Sequence, residues 1–226
     1  MTQFNLEAID VDGAVREAAE EVSGDTRIGF LRKAGIAGGA ALSGGAILGA
    51  IASPALAAAK GRPPASFGPG DVGILNYALT LEYLEAAFYN EAAAKGKIAS
   101  PHTKTFLKTV VKDENYHVKF LRTALGSQAA KQPKFNFMGI TGDEAKFVAT
   151  AYVLENTGVH AYLGQARNIK NPAYLIAAAE IVTIEARHSG AIGLITGQGI
   201  APNGPLDSGY TAAKVLAAVK ATGFIV

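Results

Sequence analysis

The sequence predicts an all-α protein: a four-helix bundle with a long crossover between the second and third helices, plus a short C-terminal helix. Three observations lead there. Residues 71–196 hold four segments whose apolar residues recur at alternating spacings of three and four, the signature of helices with one buried face. Capping chemistry marks the ends of those segments, and a stretch without period separates the second from the third. The first helix is expected from Asp71, as N-cap, to Lys95 before Gly96. Ser100-Pro101 supplies an N-cap and a proline at the first helical position, and the second helix runs to Leu125, closed by Gly126. Thr141 with Glu144 three residues on reads as a capping box for the third helix, which ends near Asn168. Asn171-Pro172 opens the fourth, which reaches Thr196 before Gly197. Ser127 to Ile140 is the crossover, and Thr211 to Ala221 forms the fifth helix.

Composition narrows the chemistry. The 226 residues carry 21 Lys+Arg and 19 Asp+Glu, and a net charge of +2 without clustered basic residues argues against a nucleic-acid partner. With no Cys, disulfide frameworks and thiolate metal sites are excluded, so any metal must be held by carboxylate, imidazole or backbone oxygen. The N-terminal part is a different kind of sequence. Basic residues Arg27, Arg32 and Lys33 precede 26 uncharged Ala/Gly-rich residues between Lys33 and Lys60, with the small-residue site Ala55-Leu56-Ala57. Residues 1–57 therefore read as an export signal, and 58–70 as a linker into a domain over 71–226. Thr26 to Arg32 is similar to a twin-arginine signal except that Ile28 stands where the second arginine belongs. The same stretch is long enough to serve as a membrane anchor if it is not cleaved. Cleavage after Ala57 would leave 169 residues with 17 basic and 12 acidic side chains.

The polar residues on the apolar stripes point to function. Glu85 interrupts the stripe of the first helix, Glu114 and His117 that of the second, Glu155 that of the third, and Glu185 and His188 that of the fourth. Residues three apart on a helix share a face, so both Glu-x-x-His pairs present two ligands inward. Leu84-Glu85 leads Glu114 by 29 positions and Leu154-Glu155 leads Glu185 by 30, as expected of a duplicated helix pair. Glu82 is the rival of Glu85, but on this register Tyr152 stands at its counterpart in the third helix. Tyr89 and Tyr162 point toward the same core by spacing, whereas His160, five residues after Glu155, is expected at a solvent or interface position and His102 in solvent. Four buried carboxylates without cations on their faces demand counter-charge, because each unpaired one costs several kcal/mol. Two divalent ions would balance four negative charges.

These features resemble the ferritin-like superfamily over residues 70–197. LNYALTLEYLEAAFY at 75–89 and PLDSGYTAAKVLAAVKATGFI at 205–225 are similar to the ferritin-like domain family of exported bacterial proteins, which includes desiccation-related proteins. The resemblance implies a ferritin-like bundle with two Fe or two Mn ions. In that arrangement Glu114 and Glu185 bridge, Glu85 and Glu155 each bind one ion, and His117 and His188 complete the set, with Glu82, Tyr89 and Tyr162 beside it. It further implies a protective redox protein acting on Fe(II), O2 or peroxide, or alternatively a non-catalytic stress-associated protein. Homo-oligomerisation is left open, and a membrane partner is expected only if the N-terminal segment is retained.

Overall fold

A computed structural model describes residues 61–226; the expected export signal and residues 58–60 lie outside the described residues. Five α-helices follow in order: α1 (Gly70–Lys95), α2 (Pro101–Leu125), α3 (Glu144–Ala166), α4 (Pro172–Thr196) and α5 (Ala212–Thr222). The hairpins α1–α2 and α3–α4 turn through short loops, and the crossover joins them. Left-handed glycines end α1 and α4, at Gly96 (φ 59°) and Gly197 (φ 77°), where a residue with a Cβ would be strained. Among the described residues no helix is long and apolar enough to cross a membrane.

Several predicted caps are used differently. Ser100 accepts from the Thr103 amide at 3.4 Å and Asn171 from the Ala173 amide at 2.9 Å, as their positions imply. Asp71 does not cap α1, which begins one residue earlier after Pro69. Its carboxylate instead accepts from the Lys170 and Asn171 amides, securing the α3–α4 turn. The N-cap of α3 is Asp143, not Thr141; Thr141 lies in a 3-10 turn and donates to Glu91 at 2.5 Å. Glu144 is thereby free to accept the Ala99 and Ser100 amides across the bundle end. Helix α3 ends at Ala166, two residues before the expected Asn168.

The crossover has no helical period because it packs as extended chain. Phe135 pairs with Ile225 in an isolated antiparallel bridge, and the Asn136 amide donates to the Phe224 carbonyl at 2.8 Å. The pairing drives Phe137 and Phe224 into the bundle end, where they surround Phe88; Phe88 in turn stacks on Phe147 with ring centroids 5.3 Å apart. Asn76, buried in α1, ties the crossover's start down by donating to the Phe67 and Gln128 carbonyls and accepting from the Ala130 amide. The described end of the linker is docked. The Gly61 carbonyl accepts from Gln165 and from the Ala212 amide, and Arg62 donates to the Asn168 carbonyl.

Candidate metal centre

Each of the four long helices brings one or more ionisable side chains to the bundle axis. Glu82, Glu114, Glu155 and Glu185 have no solvent exposure, and Glu85, His117 and His188 have only a few per cent. Their placement follows from the three- and four-residue stripes: carboxylates occupy positions that would otherwise be filled by apolar core.

The side chains form two overlapping donor groups. One contains Glu82, Glu114, His117 and Glu185; the other contains Glu114, Glu155, Glu185 and His188. Within each, one donor atom per residue lies within 4.8 Å of every other. Ligands on a first-row ion with bonds of about 2.0–2.2 Å stand about 3 Å apart when adjacent and up to about 4.4 Å when opposite, so groups of this size could close on such an ion. His117 Nδ1 is 3.1 Å from Glu114 Oε2, 3.2 Å from Glu82 Oε2 and 3.3 Å from Glu185 Oε1. His188 Nδ1 is 3.0 Å from Glu114 Oε1 and 3.3 Å from Glu155 Oε2. Yet His188 Nδ1, Glu114 Oε1, Glu155 Oε2, Glu82 Oε2 and both Glu185 oxygens are buried without a hydrogen bond among the described residues. Atoms this close that do not bond one another face common points between them, as ligands of a shared ion do. Buried polar atoms without partners are otherwise costly, so the donor set fits bound metal.

Other contacts hold the set in place. Tyr162 donates to Glu82 and Tyr89 donates to Glu155, each tyrosine reaching across from the other hairpin. His188 Nε2 lies 3.0 Å from Asp113 Oδ2, so a carboxylate orients the ring from its outer side.

Without metal, protons must offset the charge. Burial raises the Glu85 and Glu185 carboxyls well above the ordinary carboxylate range, and the neighbouring carboxylates raise them further. Burial lifts Glu114 to about 7 against the opposing attraction of the adjacent His117 and His188 imidazoles. In Glu82 burial also acts upward, but the adjacent His117 imidazole outweighs it and the net shift is down. Burial would lower both imidazoles; Glu114, Glu185 and Glu82 overcome it to hold His117 far above its usual value, and Glu114 with Glu155 pushes His188 up to about 12. Burial, with the adjacent carboxylates, keeps Tyr89 and Tyr162 protonated as donors.

The structure brings together Glu114, His117, Glu155, Glu185 and His188 of the expected ligand set. In the first helix it places Glu82 in the donor groups and leaves Glu85 outside both, which reverses the expected order of the two. The physical reason is register. Glu82 and Tyr89 are seven apart, as are Glu155 and Tyr162, and each glutamate takes the other's tyrosine. The duplication therefore equates Glu82 with Glu155, and Glu85 with Gly158. A Cβ on Gly158 would lie 2.7 Å from Glu185 Oε2 and 3.5 Å from Glu85 Oε1, so the glycine leaves room for the additional carboxylate. Asp113 is not marked by the stripe pattern of α2, although a carboxylate beside a Glu-x-x-His pair is a signal for a histidine partner. His160 is buried: its Nδ1 meets the Ser208 carbonyl at 2.6 Å and its ring stacks on Tyr210 in the C-terminal segment. His102 is exposed, as expected.

No curated protein matches the chain. The family model described as ferritin-like domain matches residues 70–198, more than half of the sequence and the whole of the four long helices. With a helical bundle and a buried Glu/His cluster able to hold metal at its centre, the chain belongs to the ferritin-like domain family.

Proposed function

We propose that the protein is an exported di-metal carboxylate protein, loaded with two iron or two manganese ions, that reacts with Fe(II), O2 or peroxide in a protective role. The observation that carries this reading is the pair of donor groups sharing Glu114 and Glu185. These two glutamates are suited to bridge, Glu82 and Glu155 to bind one ion each, and His117 and His188 to complete the protein ligands. Glu85 stands beside them as an additional carboxylate. When bound, two such ions accept and pass on electrons singly or in pairs.

The chain's own contribution is positioning and access. Tyr162 and Tyr89 fix Glu82 and Glu155, and Asp113 fixes the His188 ring. Two clefts follow the α2–α4 seam. One of about 790 Å³ reaches His188 between His102 and Arg187, and one of about 290 Å³ reaches His117 between Asp113 and Glu180. The acidic mouth favours entry of a cation such as Fe(II). Only seven acidic residues would remain outside the five glutamates of the centre in a chain cleaved after Ala57, which disfavours a mineral-storing role. The uncharged stretch before Lys60 and its Ala55-Leu56-Ala57 site support export.

Metal quantification and an Fe(II) oxidation assay on purified protein test the reading, with Glu114→Ala as control. Two ions per chain and oxidation lost in the variant are expected. Absence of bound metal after reconstitution, or unchanged oxidation in the variant, would sink it; metal without turnover would place the chain among non-catalytic members.

A further inference from the structure

Beside the metal centre, between α1, α2, α3 and the first half of α4, lies a cavity of about 210 Å³ with almost wholly apolar walls. It is bounded by small side chains such as Ala78, Ala161 and Ala178, where larger ones would have filled the space. It opens to solvent beside Ala173, which is exposed. Among the described residues no charged one lines it. Of its polar side chains, Gln165 donates to the Gly61 carbonyl and accepts from Asn168, the Tyr162 hydroxyl is spent on Glu82, and Tyr174 is half-buried at the rim. Tyr77 also lines the cavity. It is 1% exposed, and its hydroxyl has no hydrogen-bond partner among the described residues.

We infer that this cavity is a binding site for a neutral, mainly apolar small molecule carrying one hydroxyl or carbonyl oxygen, which the Tyr77 hydroxyl anchors. The absence of cationic and anionic walls selects against charged ligands, whose desolvation nothing there would offset. An engineered apolar cavity of 150 Å³ holds benzene, so 210 Å³ suits a ligand of about eight to ten non-hydrogen atoms. A lone hydroxyl in an apolar chamber is the usual division of labour in small-molecule sites: area for affinity, one polar group for orientation. Occupancy concerns this cavity alone and does not depend on metal loading.

Calorimetric titration of the full chain, metal-free and metal-loaded, with p-cresol, p-xylene and p-toluate tests the inference. Both neutral ligands are expected to bind and p-toluate to show no binding. Tyr77→Phe should weaken p-cresol about tenfold, the value of one hydrogen bond, and leave p-xylene within about twofold. Ala178→Leu, which fills the chamber, should abolish both. The inference is overturned if neither neutral ligand binds, if p-toluate binds as well as p-cresol, if Tyr77→Phe affects both neutral ligands equally, or if Ala178→Leu affects neither.

Discussion

Removal of metal should make stability fall as pH rises, and restoration should abolish or reverse that slope. In the metal-free protein Glu85, Glu185, Glu114, His117 and His188 all hold protons more tightly folded than unfolded. A group raised on folding contributes stability that is fully present below its unfolded value and lost as pH climbs toward its folded value, because the native state then binds the extra proton. For the carboxyls that loss begins near their ordinary value of 4.5, and for the imidazoles near 6.5. Glu82 shifts the other way, and its contribution is complete above its unfolded value, so it does not offset the trend at neutral pH.

Glu114 alone sets a usable magnitude. A rise from 4.5 to about 7 is worth about 3 kcal/mol in full at about 1.4 kcal/mol per pH unit, of which roughly 2 to 3 is lost between pH 5 and 8. For a domain of this size that is a fall in Tm of roughly 5–10 °C, with Glu85, Glu185 and the histidines adding in the same direction. Metal binding requires deprotonated carboxylates and imidazoles, so affinity, and with it the stability of the loaded protein, strengthens with pH. Differential scanning calorimetry of chelator-treated and reconstituted protein at pH 5, 6, 7 and 8, at constant ionic strength, reads both slopes. A metal-free Tm that is flat or rising over this range, or parallel slopes with and without metal, would refute the reasoning.

Two substitutions separate site from scaffold. Gly158→Ala would put a methyl 2.7 Å from Glu185 Oε2 and 3.4 Å from its Cδ, so the buried carboxylate must move; we expect a cost of about 1–3 kcal/mol from overpacking and weaker metal retention in a chelator competition, and unchanged retention would show that Glu185 tolerates displacement. Asn76→Ala leaves the Phe67 and Gln128 carbonyls and the Ala130 amide without their side-chain partner; a loss of about 2–3 kcal/mol in denaturant unfolding is expected, with metal stoichiometry unchanged.

The site was most legible where one helix carries its own register. Glu114 and His117, or Glu185 and His188, are three apart on one face, and no alignment between helices is needed to see that they converge. Helix α1 offers two glutamates three apart, each preceded by leucine, and periodicity places both on the core side. Only the tyrosine seven residues downstream distinguishes them, because it reveals which glutamate has the same relation to its own helix as Glu155 has to Tyr162. Caps were readable where proline follows the capping residue. At Asp71 and Glu144 the expected local bond gave way to backbone amides of a neighbouring loop, a tertiary choice that sequence spacing does not express. The cavity beside Tyr77 was not legible at all: alanines on a helix stripe look the same whether a neighbour fills the space or leaves it open.

The duplicated hairpins make a centre that is nearly two-fold symmetric, and its departures from symmetry bear on how the two metals of the proposed centre would differ. Glu82 maps onto Glu155 and Tyr89 onto Tyr162 at an offset of 73, while Glu114 maps onto Glu185 and His117 onto His188 at 71. Under the same offsets Glu85 maps onto Gly158 and Asp113 onto Ile184. His188 therefore has a carboxylate behind it, 3.0 Å from its Nε2, whereas Ile184 stands at the equivalent position beside His117, in a cleft that Asp113 and Glu180 also line. A carboxylate behind a ligating histidine raises its basicity and fixes its orientation, and losing such a partner typically costs ten- to a hundredfold in metal affinity. Asp113→Asn should accordingly weaken one equivalent of metal by about that factor and leave the other nearly unchanged, turning a competition titration biphasic or widening an existing step. Equal weakening of both equivalents would mean that Asp113 acts on the whole centre, for instance through the charge of the α2–α4 mouth, and not through the His188 ring.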